Sequence, residues 1–335
     1  MTGAPGARSR TRLLAWTGIV LSLGFAYLAF RDVEFDALGR ALSSQEYIFL
    51  VPSGGALVAG VLLRAWRWQL LFERGSRPSL RVFVNALLVG YLFNTILPAR
   101  AGEVVRVQVL GRRTGISRAQ VLATVVLERT YDVVVLVLLL ACATPFLPAV
   151  SWRTPALVLG AMIVSGLVAA AWAAQRSSSA AESLIRSLAR LPLLDPGRVE
   201  RAGANFMCGL VSLRFTRLVL TAIAVTAASW LTLALSTWFL LLGTEIEAGL
   251  GAALLVLVAT NLILVLPTSP AALGAFEAAA VLALSAYGVE REQALSFALV
   301  LHALNAFPYL PLGYTALVLH GRALKLRASN ERVGA

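Results

Sequence analysis

Six apolar runs constrain this chain more than any other feature: Leu13 to Phe30, Tyr47 to Leu63, Val121 to Ala143, Ala156 to Ala174, Leu218 to Leu242 and Ala294 to Leu319. A helix of about 20 residues crosses the roughly 30 Å hydrocarbon core of a bilayer, so each run is a plausible full span. Composition agrees, with 59% apolar residues, 14% charged and a mean hydropathy of +0.79. A typical soluble domain is far less apolar. The expected fold class is an all-α polytopic membrane protein. At 335 residues with no long polar tail, residues 1–335 read as a single membrane domain with no room for a separate catalytic domain.

Cysteine and histidine carry little. Cys142 lies in an apolar run and Cys208 in a basic loop, which indicates neither a disulfide framework nor a thiolate metal site. His302 and His320 have no metal-ligand partner at helical spacing, so no metal and no cofactor is expected. The run after Arg8, Arg10 and Arg12 is followed by Asp32, Glu34 and Asp36 without an A-x-A-like cleavage site. It therefore reads as a retained first helix.

Two further apolar regions, Val82 to Leu110 and Gly249 to Tyr287, are interrupted in the same way. The first contains Asn94, Pro98, Gly102 and Glu103, in N-T-I-L-P-A-R-A-G-E; the second contains Asn261, Pro267, Gly274 and Glu277, in N-L-I-L-V-L-P-T-S-P-A-A-L-G-A-F-E. Beyond each break, G-I-S-R-A-Q-V-L-A from Gly115 aligns without a gap with G-V-E-R-E-Q-A-L-S from Gly288. Irregular backbone and carboxylates are tolerated at membrane depth only inside protein or along a cavity, so a duplicated break points to a polar site.

Basic residues set the topology. The clusters Arg8 to Arg12, Arg64 to Arg81, Arg112 to Arg118, Arg176 to Arg217 and Arg322 to Arg327 all favour the cytoplasmic side. That requires Val82 to Leu110 to enter the membrane and return as a re-entrant hairpin. The second broken region is flanked by Glu245 with Glu247 and Glu290 with Glu292, which suit the exterior. Two full crossings would leave the same ends, but a hairpin makes the halves equivalent. The expected architecture is about six transmembrane helices plus two re-entrant hairpins in an inverted-topology repeat, residues 13–143 and 154–319. Both termini are then cytoplasmic.

Within L-E-R-T-Y-D, Glu128, Arg129 and Asp132 fall on one turn, and Arg129 and Asp132 share a face. The repeat register pairs Arg129 with His302 and Asp132 with Asn305. Charges this deep must pair or face a wet cavity. Two readings stay open: Arg129 and Asp132 bridge each other or Glu103 and lock the hairpin, or they serve substrate or proton coupling. Arg100 and Arg106 flank the first break, where a helix restarting after Gly102 would let its amides and two guanidiniums converge on a phosphate, unless both arginines simply reach the head groups. Glu103 and Glu277 sit at equivalent points and could balance an arginine, meet a cation or carry a proton.

The loop 175–217 has seven arginines against Glu182, Asp195 and Glu200, interrupted by Leu, Ile and Phe. It is expected to lie as amphipathic helices on an anionic lipid surface. The formal net charge of +12 is read the same way, as topological and membrane-adhesive. No basic-aromatic interleaving supports a nucleic-acid partner.

The strings N-T-I-L-P-A-R-A-G-E-V-V-R, G-R-R-T-G-I-S-R-A-Q, L-E-R-T-Y-D and L-P-T-S-P-A-A-L-G-A-F-E resemble the lysylphosphatidylglycerol synthase transmembrane (flippase-like) family, from about Arg64 to Gly313. The resemblance implies similarity to the lipid-translocating half of multiple peptide resistance proteins, which moves aminoacylated phosphatidylglycerol between leaflets. It implies a polar-lipid flippase and leaves the lipid open. Those proteins also have more membrane helices and a soluble aminoacyl-transferase domain. With neither expected here, this chain should not make lysyl-lipid alone. His302 stands where family members can carry arginine.

The resulting expectation is a non-enzymatic translocase of the bacterial inner membrane, taking an anionic, aminoacylated or polyprenyl-linked lipid. Arg100, Arg106 and Arg129 would hold the head-group phosphate. Glu103, Asp132 and Glu277 would position those arginines or meet an amine, with Asn94, Pro98, Gly102, Asn261, Pro267 and Gly274 shaping the backbone. The alternative is a non-catalytic subunit that supplies lipid to a separate envelope glycosyltransferase or synthase. A membrane-embedded transferase lacks support, since neither a D-x-D pair nor a Ser/Cys/His arrangement is present.

Overall fold

The computed structural model describes residues 33–72, 77–98, 100–148, 153–176, 216–244, 246–263 and 269–333, with isolated positions at 23, 24, 27, 197, 201 and 203–205. The described residues form helices and connecting turns, with no strand among them. Eleven α-helices follow in order: α1 (Phe35–Ser43), α2 (Leu50–Leu70), α3 (Leu80–Ile96), α4 (Gly102–Thr114), α5 (Arg118–Ala143), α6 (Arg153–Arg176), α7 (Thr216–Leu242), α8 (Leu250–Ile263), α9 (Ala275–Ser285), α10 (Arg291–Ala306) and α11 (Tyr309–Val333). The expected first span, the bulk of the basic loop 175–217, Glu245 and Pro267 lie outside the described residues.

Among the described residues, three helical stretches are long and apolar enough to cross a membrane: Tyr47–Leu70, Arg217–Leu242 and Arg291–Gly321. The protein is a polytopic helical membrane protein. Helix α5 has the length, 26 residues, but carries Glu128, Arg129 and Asp132. The run from Ala294 to Leu319, expected as one span, lies within Arg291–Gly321, where two helices meet at Phe307 and Pro308. The proline ring removes an N–H donor and crowds the preceding turn, so α10 ends and α11 restarts at a kink.

Both broken regions fold back on themselves. Helices α3 and α4 pack together, as do α8 and α9, and α4 and α9 are only 13 and 11 residues long. At 1.5 Å per residue these two reach only about 16–20 Å, short of a bilayer core. The first fold is closed by glycine: a Cβ on Gly102 would collide with the Gly90 carbonyl oxygen and lie 2.6 Å from Asn94 Oδ1. Only hydrogen at that position lets α3 and α4 approach so closely.

The two phrases aligned in the sequence have the same backbone. Gly115 (φ 79°) and Gly288 (φ 73°) take the left-handed conformation just past α4 and α9. Two residues on, Ser117 and Glu290 cap α5 and α10. Asn94 sits two residues before the end of α3, and Asn261 lies in the last described turn of α8. A helix, a packed pair of helices and a further helix therefore follow one another twice among the described residues, as α2 to α5 and as α7 to α10.

Packing joins these two sets. Helices α2 and α7 share the most extensive contact, with Ser53 Oγ donating to the Ser236 carbonyl at 2.6 Å and Gly60 facing Thr232 and Leu233. Helix α11 lies along α3, where Gly313 admits Leu88 and Leu92 and the Tyr91 and Tyr309 rings stand 4.7 Å apart. The turn Pro270–Ala272 of the second break packs against α3 of the first. The two interruptions meet inside the molecule.

Candidate functional site

A cavity of about 230 Å³ lies where the breaks meet. Asn94, Thr95, Arg100 and Glu103 line it from the first hairpin, and Asn261, Ser269, Ala271 and Ala272 from the second. Arg64, Arg129, Trp230, His302, Asn305 and Tyr309 complete the polar and aromatic wall. Two charged systems support this cavity, one behind each hairpin.

Behind the first hairpin is a buried ion-pair chain. The Arg67 guanidinium, 1% exposed, donates to Asp132 Oδ1 at 2.6 Å, to Glu128 Oε1 at 3.1 Å and to Thr226 Oγ1 at 3.0 Å. Arg106 pairs with Glu128 Oε2 at 2.8 Å and lays its guanidinium over the Trp68 ring, 4.8 Å from the centroid. Arg129 closes the chain, with Nη1 3.3 Å from Asp132 Oδ2 and Nε 3.4 Å from Glu103 Oε1. Three arginines and three carboxylates balance here. Buried charge is tolerated only with such pairing, and the chain welds α2, α4, α5 and α7 together.

The chain reaches the cavity only at Glu103 and Arg129, whose side chains are 25% and 42% exposed. Arg64 and Arg100 also line the cavity, and neither has a carboxylate within ion-pair distance among the described residues. Arg64 instead sits over Trp230, 4.9 Å from the ring centroid. Three arginines thus face the cavity against one carboxylate, Glu103. Such a site attracts anions.

Behind the second hairpin is a smaller system. Glu277 Oε2 accepts from Gly274 N–H at 2.7 Å, closing the first turn of α9. Its Oε1 lies 2.5 Å from His302 Nδ1, and His302 Nε2 lies 2.9 Å from the Ala271 carbonyl. Phe276 stacks against the imidazole at 4.6 Å. In each hairpin, then, the glutamate opening the second helix pairs with a basic residue on the helix that follows: Glu103 with Arg129, Glu277 with His302.

The breaks also share strain. Arg100 (φ 53°) and Ala272 (φ 60°), each two residues before its glycine, occupy the left-handed region, as does Ala271 (φ 54°). Each such non-glycine residue costs roughly 1–2 kcal/mol. The conformation aims Arg100 into the cavity wall and is held by neighbours, since Asn94 Oδ1 accepts from Gly102 N–H at 2.9 Å.

Of the residues expected to hold an anion, Arg100 and Arg129 line the cavity, and Arg106 does not. Arg106 is buried against Glu128 and Trp68 because α4 turns that face toward α5 and α2. Asp132 and Glu277 are buried behind Arg129 and His302 rather than in the wall. Asn94 and Asn261 are in the wall, Gly102 and Gly274 start the returning helices, and Asn305 joins the lining with its amide donating to Leu301 O. Pro98 lies in the first break.

Sequence reasoning missed Arg64 and Arg67. Both had been assigned to a cytoplasmic flank, whereas α2 continues to Leu70 and carries them inside. A charge count held the signal: Glu128 and Asp132 with only Arg129 beside them in the same stretch of helix leave one buried carboxylate unbalanced.

The sequence matches the lysylphosphatidylglycerol synthase TM region over residues 15–313. The chain belongs to that family. The matched region contains both breaks and every residue of the cavity wall, so the site is part of the family domain. Comparison with curated proteins gives no match.

Proposed function

We propose that this protein is a lipid translocase, not an enzyme, and that it moves an anionic or aminoacylated phospholipid or a polyprenyl-linked lipid across the bacterial cytoplasmic membrane. The observation that carries this reading is the cavity between the two breaks, where Arg64, Arg100 and Arg129 face one carboxylate. A phosphate there would meet guanidiniums, which suit its oxygens better than ammonium groups do. Asn94, Asn261, Asn305 and Ser269 offer neutral hydrogen bonds to the remainder of a polar head group.

The two hairpins supply the motion. Short helix pairs of opposed halves that meet at the midplane can open alternately to each face as one half rocks against the other. Related elements around the cavity, including the two glutamate-to-base pairs, support reading the hairpins as re-entrant and the halves as an inverted repeat. The head group would move through the cavity while its acyl chains remain in lipid.

The test is leaflet exchange in proteoliposomes carrying fluorescent phosphatidylglycerol, lysyl-phosphatidylglycerol or a polyprenyl phosphate. Faster exchange of at least one of them than in protein-free vesicles is expected. If none moves and the protein instead co-purifies with an envelope glycosyltransferase or synthase, the translocase reading fails in favour of a lipid-supplying subunit.

A further inference from the structure

The Glu277 and His302 contact has a proton inventory that its geometry fixes. A backbone carbonyl can only accept, so the 2.9 Å contact with Ala271 O requires a hydrogen on His302 Nε2. The opposite ring nitrogen then faces Glu277 Oε1 at 2.5 Å, a distance that needs one more hydrogen between them. That hydrogen belongs either to a protonated carboxyl beside a neutral ring or to an imidazolium beside a carboxylate. In both forms the pair is neutral. Without it, the Nδ1 lone pair would face a carboxylate.

We propose that Glu277 and His302 form a proton-binding site, and that its occupancy is coupled to anion binding at the arginines of the same cavity. The proposal rests on the head-group reading above and adds the ion that travels with it. His302 lines the cavity, while Glu277 lies behind it and is 3% exposed. On release, the O–H of Glu277 or the Nδ1–H of His302 breaks, its electron pair stays on that atom, and the proton leaves through the cavity as H⁺. The site then carries one net negative charge, facing the place where an anionic head group would sit. Proton and anion therefore strengthen each other's binding, and the effect is reciprocal.

The other charged or titratable groups facing this cavity are Arg64 from α2, Tyr91 from α3, Arg100 and Glu103 at the first break and the start of α4, Arg129 from α5 and Tyr309 from α11. Helices α7, α8 and α9 add none to the wall. Glu103 differs from Glu277 in kind, because its partner Arg129 holds its proton at every ordinary pH. The pair at the second hairpin can exchange a proton where its counterpart cannot.

The site also braces the second break. Glu277 Oε2 accepts from Gly274 N–H and His302 holds the Ala271 carbonyl, so one proton completes a bridge across a loop whose Ala271 and Ala272 are both left-handed. Losing that proton removes the bridge and frees the strained turn.

The test is calorimetry of dihexanoyl-phosphatidylglycerol binding to the full chain in maltoside micelles, run in two buffers of different ionisation enthalpy. Wild type should take up a fraction of a proton on binding, and its affinity should fall about tenfold, within the usual 5- to 150-fold range of site coupling, as pH rises through the site's single transition. Glu277→Gln and His302→Arg should both bind without proton uptake and without that pH dependence. His302→Arg rebuilds the ion pair seen at Glu103 and Arg129, which guards against a mere loss of folding. Wild-type binding with no buffer-dependent heat would overturn the proposal and leave the head-group reading intact. No binding of phosphatidylglycerol, lysyl-phosphatidylglycerol or a polyprenyl phosphate at any pH would overturn both.

Discussion

Removing Arg67 should unfold the protein more readily than removing any of its other arginines. Its guanidinium is 1% exposed and joins Asp132, Glu128 and Thr226 at 2.6, 3.1 and 3.0 Å. Arg67→Met leaves the chain of charges one positive short. Glu128 retains Arg106 at 2.8 Å, but Asp132 is left with Arg129 at 3.3 Å. Breaking a buried pair by deleting one partner costs about 3–5 kcal/mol. Asp132→Asn unbalances the same chain in the opposite sense and should cost a similar amount. The double variant restores neutrality, so the two losses should fall short of additivity by about 2 kcal/mol. Equilibrium unfolding in mixed micelles of increasing dodecyl sulfate content, followed by tryptophan fluorescence, gives all three values. A loss below about 1 kcal/mol for Arg67→Met, or strictly additive losses, would refute the view that this chain holds the fold.

Other consequences follow from placement. Arg106→Ala should lower stability by a few kcal/mol, because it strips Glu128 and uncovers Trp68, whereas Arg129→Ala should leave the unfolding midpoint closer to wild type and abolish lipid exchange; the reverse ranking would contradict the assignment of structural and cavity arginines. Gly102→Ala places a methyl against the Gly90 carbonyl and should cost about 1–3 kcal/mol in the same unfolding curves, so an unchanged midpoint would show that the hairpin is not closed there. Asn94→Ala removes the acceptor for Gly102 N–H and should cost about 1 kcal/mol, with slower lipid exchange as a second readout.

Much of this organisation was legible in the residues, and the reason is that broken helices need unusual ones. Asn94, Gly102 and Gly274 mark helix ends because their side chains, or lack of them, permit turns that leucine and valine do not. The gapless match from Gly115 and Gly288 reported a shared backbone, since both glycines are left-handed and both precede a cap by two residues. What stayed hidden was which charges meet. Arg67 reaches Asp132 across 65 positions, and only the crossing of α2 with α5 brings them together. Arg106 was assigned by nearness to the break, but helical rotation turned it inward. The break between α10 and α11 at Phe307 and Pro308 was not read because hydropathy is blind to a missing N–H.

The central claim, that one cavity formed by two breaks carries a lipid head group, is tested most directly by leaflet exchange of fluorescent phosphatidylglycerol, lysyl-phosphatidylglycerol and a polyprenyl phosphate in proteoliposomes. Wild type should be compared with Arg129→Ala and Glu103→Gln, each shown to be folded by its unfolding midpoint. The account predicts that wild type accelerates at least one lipid and that both variants lose the acceleration. Exchange that persists undiminished in both folded variants would contradict it.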